Sequence, residues 1–109
     1  MNLTELREKL GLSLVCGDED KTFCGVYAGD LLSRAMSHVE ADNLWLTIMP
    51  NTNVIAVASL TEASAVILAE DVTLLPEAYE AATQNGITVY SSSHTVYELC
   101  VMICEATSK

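Results

Sequence analysis

Basic side chains are scarce in this sequence: five Lys and Arg stand against fifteen Asp and Glu, a net charge of −10. That balance repels a phosphate backbone or an anionic lipid surface, so nucleic acid and membrane surfaces are not expected partners. Long apolar runs are also missing. No stretch approaches the roughly 20 residues that a helical membrane span needs. The N-terminal MNLTELREKLG is charged and amphipathic, without the apolar centre of a signal peptide. A cytoplasmic chain is therefore expected, with Cys16, Cys24, Cys100 and Cys104 as reduced thiols. Clustered glycines are lacking too. Neither GxxxxGKS/T nor GxGxxG occurs, and Lys109 is the one lysine from residue 22 onward, which argues against a self-contained kinase or nucleotidase built on a phosphate-binding loop. No repeat, linker or low-complexity tract interrupts the chain.

What is present is apolar and periodic. Half of the 109 residues are hydrophobic, enough for one globular domain spanning 1–109 with a real core. Asn2 and Glu5 fit a capping box, Leu3, Leu6 and Leu10 share a helical face, and Gly11 fits a C-cap. LSLVC at 12–16 reads as a strand, and 23–29 as a second extended segment broken by Gly25 and Gly29. Asp30 is the expected N-cap of DLLSRAMSHV, with Leu31, Leu32, Ala35, Met36 and Val39 inward.

Residues 44–71, LWLTIMPNTNVIAVASLTEASAVILAED, carry the strongest pattern. Five of the six residues at 44–49 are apolar, so both faces of that strand are expected to be buried, as in a parallel or mixed sheet flanked by helices. Pro50 stops the strand, and Asn51 or Asn53 caps a helix through about residue 62. AVILA at 65–69 is a further buried strand. A helix over 73–85 has Pro76 in its first turn and Gly86 just past its end. A strand at 87–90 precedes a final helix opened by the Thr95/Glu98 capping box and running to about 105. The order βαβαβα with short right-handed connections predicts an α/β fold with a parallel or mixed sheet.

Few residues nominate chemistry. Cys100 and Cys104 lie four apart, a spacing that suits metal ligands, but the helix reads YELCVMICE, which places both in the core as small apolar side chains. Cys16 and Cys24 lack CxxC spacing. His38 reads as an exposed C-terminal cap, and the Glu70-Asp71 pair as solvated loop. Ser91, Ser92 and Ser93 precede His94 at a strand end and a helix start, where hydroxyls and free N–H groups bind an anion or merely satisfy a turn. No nucleophile, general base or metal set is assembled, and no cofactor is expected. In open α/β sheets ligands favour the crevice at the carboxyl ends of the strands. That selects 47–53, 70–73 and 90–94, with Thr47, Asn51, Asn53, Ser92 and His94 as candidate ligand-binding side chains.

The order of residues also resembles a known family. FCGVYAGDLLS at 23–33, LWLTIMPNTNVIAVASL at 44–60, AVILAE at 65–70 and GITVYSSSHTVYELC at 86–100 resemble small stand-alone DRTGG-domain proteins, over nearly the whole chain. The family's Thr-Gly-Gly stands here as Cys24-Gly25-Val26. Its T-x-Q-x-H-x-N junction keeps Thr47 and Asn53, with Met49 and Asn51 at the Gln and His positions. The resemblance implies a fold similar to the N-terminal domain of HPr kinase/phosphorylase and of the Mur ligases, without that kinase's catalytic domain. It further implies a non-catalytic regulatory domain that forms a homodimer, takes a small anionic or nucleotide ligand, and meets a signalling or hydrogenase-related protein partner. Two other roles stand beside it: a small enzyme or phosphotransfer acceptor using His94 or the serines at 91–93, and a structural subunit of a redox or signalling assembly.

Overall fold

The computed structural model describes residues 1–108. Local capping signals set the helix boundaries. Asn2 closes a capping box with Glu5 at the start of α1 (Leu3–Leu10), and Gly11 ends it with φ 66°. Thr95 and Glu98 do the same for α5 (Val96–Thr107). Asn51 accepts from the Val54 N–H and caps α3 (Thr52–Thr61). Pro76 occupies the first turn of α4 (Pro76–Asn85), so this helix starts three residues later than the sequence pattern suggests. With its fixed φ and missing N–H, proline suits that position and no later one.

Five strands form one sheet in the order β1-β5-β4-β3-β2, namely β1 (Ser13–Cys16), β2 (Val26–Ala28), β3 (Leu44–Thr47), β4 (Ala65–Leu68) and β5 (Val89–Ser91). Strands β2 to β5 are parallel, and β1 adds antiparallel to β5 at the edge, so the sheet is mixed. The central strands β3 and β4 are buried at every position. Their alternate residues divide between two cores. Trp45, Val66 and Leu68 pack with α3, α4 and Ala35 of α2 (Leu32–His38). Leu44, Leu46 and Ile67 pack with Leu3, Leu6, Leu99 and Ile103 of α1 and α5. Each such fully buried aliphatic side chain is worth roughly 1.5–3 kcal/mol of transfer free energy, and this double burial explains why the strands read as continuous apolar runs.

One half-buried polar knot ties the N-terminal helix to β5. The Tyr90 hydroxyl donates to Glu19 Oε2 at 2.9 Å, and Arg7 Nε donates to the same oxygen at 2.7 Å. Burial first, and the Glu19 carboxylate second, push the Tyr90 phenol well above its ordinary pKa, so it stays a donor.

Three expectations are corrected. Asp30 does not cap α2; the N-cap is Leu31, with no side-chain hydrogen bond, because the Asp30 carboxylate is drawn to β3 instead. Leu31 and Met36 are 63% and 51% exposed, since only Ala35 and Val39 of that segment reach the fully buried core. Cys104 is exposed and Cys100 is half-buried. The α5 stripe centres on Leu99 and Ile103, and an i+4 step rotates about 40° further round the helix, carrying Cys104 to its outer side.

Candidate functional site

The parallel strands β2 to β5 all end on one side of the sheet, and the loops that follow them make the crevice. At its β2–β3 side, Asp30 Oδ1 accepts from the Thr47 hydroxyl at 2.6 Å and from the Ile48 N–H at 3.0 Å. Thr47 is fully buried, and its hydroxyl also accepts from the Met49 N–H at 3.3 Å. Trp45 Nε1 donates to the Gly29 carbonyl at 3.0 Å, closing the same corner. At the β4–β5 side, Glu70 and Asp71 both adopt left-handed backbone, φ 59° each. The turn is held because the Glu70 N–H donates to the His94 carbonyl and the Asp71 N–H to the Ser92 carbonyl, each at 2.9 Å. The Leu75 N–H reaches the Pro50 carbonyl at 3.0 Å and links the two sides.

The five residues selected from the sequence occupy different situations here. Thr47 is spent on Asp30, deep in the sheet. Asn51 is spent on capping α3. Asn53 is exposed on the first turn of that helix and lines a groove between α3 and α4 with Ala81 and Asn85, rather than the crevice. Ser92 is buried, and its hydroxyl accepts from the His94 N–H at 3.1 Å. The His94 ring is partly exposed, with Nδ1 3.7 Å from Glu98 Oε1. Bonding to the Thr95 N–H, more than that ring, holds the Glu98 carboxyl below its ordinary pKa. Ser92 and His94 are thus neighbours, Thr47 lies two strands away, and three of the five side chains, those of Thr47, Asn51 and Ser92, hold loops or caps in place.

A cavity of about 530 Å³ opens beside them, lined by Asp71 to Leu74, Pro76 and Tyr79 with Val15 and Ser91. Asp71, Val72, Thr73 and Ser91 of these fall within the crevice segments read from the sequence, although none of the four is among the candidate ligand-binding side chains named there. Tyr79 and Val15 come from other elements, so no local signal announces them. A larger cavity of about 690 Å³ lies at the opposite end, around Asn2, Lys21, Asp42 and Ser64. Some of its polar side chains are already structural, since Lys21 Nζ donates to the Gly86 carbonyl and Ser64 Oγ to the Thr22 carbonyl, and it lies at the amino ends of β3 and β4. The smaller cavity is therefore the better candidate, being at the strand ends that favour ligands.

Among the described residues no group of three or more His, Cys, Asp or Glu is placed to hold a metal ion. Cys16, the buried thiol, donates to the Ile87 carbonyl at 3.6 Å, and desolvation pushes its pKa up, which disfavours the nucleophilic thiolate. No helix among the described residues is long and apolar enough to cross a membrane.

No family model matches this chain, and no curated protein does. Among solved structures, it is similar to the CBS and DRTGG domains of the regulatory region of Clostridium perfringens pyrophosphatase, crystallised with the activator diadenosine tetraphosphate. The TM-score is 0.77 at 16% identity, over 95% of this chain and 46% of that one, so the chain spans about half the length of the structure it matches. That likeness shows a shared fold: a mixed five-stranded α/β sheet flanked by helices, of the kind found in a DRTGG-containing regulatory region.

Proposed function

We propose that residues 1–109 form a single non-catalytic regulatory domain of the DRTGG kind, acting in the cytoplasm, self-associating, and taking a small ligand at the carboxyl ends of its strands. One observation carries this reading. Two of the hydroxyls there are committed to structure, Thr47 on the Asp30 carboxylate and Ser92 on the His94 N–H, while a cavity beside them stays open. The similar fold of a pyrophosphatase regulatory region crystallised with a nucleotide activator supports it. Four free thiols agree with a reducing compartment.

A thermal-shift series with AMP, ATP and diadenosine tetraphosphate tests the ligand part. Ligand at about 100 times its Kd stabilises the folded state by about 2.7 kcal/mol, which raises Tm by roughly 10 °C in a domain of this size. A flat Tm across the series removes nucleotides as the ligand.

A further inference from the structure

We propose that the cavity between α4 and the β1 edge binds a small ring compound carrying an amino or ammonium group. This names the ligand class for the strand-end site and rests on the regulatory, ligand-binding reading above.

The polar groups around this cavity differ from those of the neighbouring crevice. Asp30, Thr47, Asn51 and Ser92 all have side-chain hydrogen bonds inside the protein. Asp71, Thr73, Tyr79 and Ser91, which line the cavity, have no side-chain hydrogen bond within the described residues. One carboxylate and three hydroxyls are thus available at one hollow, against walls supplied by Val15, Val72 and Leu74. A few polar groups set in an apolar hollow is the usual composition of a small-molecule site.

Charge fixes the class. No lysine, arginine or histidine lines the cavity, and its one ionised group is Asp71. With a net charge of −10 around it, a phosphate or carboxylate entering there would have hydroxyl donors but no cation to offset its repulsion by Asp71. An amino group is the complementary partner, since a carboxylate accepts hydrogen bonds and donates none. Tyr79, 47% exposed, offers a ring face for stacking or for a cation–π contact.

The hollow is also preformed. The β1–β5 register passes from Leu14↔Tyr90 to Cys16↔Val89, leaving Val15 as the extra residue of a bulge, and Val15 joins Cys16 in packing against the α2–α4 core. Bulges re-aim side chains in this way at sheet edges. Opposite it, the loop carrying Asp71 is pinned by the bonds from the Asp71 N–H to the Ser92 carbonyl and from the Val72 N–H to the Ala69 carbonyl. Little ordering is left for a ligand to induce.

The test is an NMR titration of the isotope-labelled full chain with benzylamine and with benzoate, two probes of one ring and opposite charge. Benzylamine is expected to give saturable shifts at Asp71, Thr73, Tyr79 and Ser91 in the millimolar range usual for fragments, with benzoate at least about tenfold weaker. Asp71→Asn should weaken benzylamine about tenfold and abolish the preference, and Tyr79→Ala should weaken both probes, each variant keeping a folded spectrum. Equal binding of the two probes at the cavity overturns the amine class while leaving a ligand site there. Shifts that map elsewhere, or none from either probe, overturn the site itself. The nucleotide thermal shifts test the nucleotide version of the ligand-binding reading separately: flat nucleotide shifts with benzylamine bound at the cavity keep that reading with an amine as ligand, and flat nucleotide shifts with neither probe bound remove it.

Discussion

Asp30 shows how one side chain can serve two elements at once. Its position after β2 suits a helix cap, and the sequence reading assigned it to α2. The fold instead uses one of its oxygens to accept from both Thr47 Oγ1 and the Ile48 N–H, stitching the end of β2 to the end of β3. The buried Thr47 hydroxyl has no other acceptor among the described residues, so the effect of losing Asp30 follows from leaving that donor unmet. Asp30→Ala is expected to cost about 1–2 kcal/mol, the lower part of the range for such losses because Asp30 is itself exposed and water can enter. Urea unfolding should show a lower midpoint with an unchanged slope. Adding Thr47→Val removes the stranded hydroxyl, so the double variant should be more stable than the sum of the two single losses predicts. Strict additivity would mean that the 2.6 Å contact contributes nothing to stability.

At the scale of elements, legibility in the sequence followed the range of the interaction. The capping boxes at Asn2/Glu5 and Thr95/Glu98 and the Gly11 and Gly86 ends are settled within four residues of chain and could be read directly, while the α3 cap was legible only as Asn51 or Asn53 and proves to be Asn51. The antiparallel seat of β1 against β5 depends on pairing Ser13 with Ser91, and nothing local at either residue specifies it. The same holds for the candidate site. Ser92 and His94 could be placed at a strand end by pattern, whereas the meeting of Val15, Asp71 and Tyr79 around one cavity needs the bulge, the left-handed turn and the proline-shortened α4 together. Glycine separates the two kinds of constraint. Gly86 has φ +67° with open space around it, a purely local requirement. Gly17 has φ +100°, and an added Cβ would collide with the Thr88 backbone and stand 2.7 Å from the Ile87 carbonyl oxygen, a tertiary requirement. Gly86→Ala should therefore cost about 1 kcal/mol, the backbone term alone. Gly17→Ala should cost at least about 3 kcal/mol, because the 87–88 segment leading into β5 must move to admit it. Equal thermal midpoints for the two variants would show that the turn at Gly17 relaxes away from β5 without penalty.

For the whole molecule, charge and the exposed sheet edge act in opposite directions. The net charge of −10 is carried on a chain whose Cα radius of gyration is 12.2 Å. At about 0.01 M salt the screening length is roughly 30 Å, so two copies feel one another's entire charge; at about 0.15 M it falls to roughly 8 Å and only groups near contact matter. Beside the β2 edge, Leu31 and Met36 of the α2 segment are exposed, and the self-association proposed above would cover them with a second copy. Self-association through that surface should therefore strengthen as salt is raised, with sedimentation showing dimer growing from low to physiological ionic strength. Leu31→Glu and Met36→Glu should each weaken it about tenfold at fixed salt, by adding charge and removing apolar contact. Binding to a basic protein partner would respond in the opposite sense, weakening as salt screens the attraction. The slope against salt thus separates a surface made for its own copy from an acidic surface made for another protein. A sedimentation coefficient that stays monomeric at every ionic strength, at high micromolar concentration, would remove self-association from the proposed function.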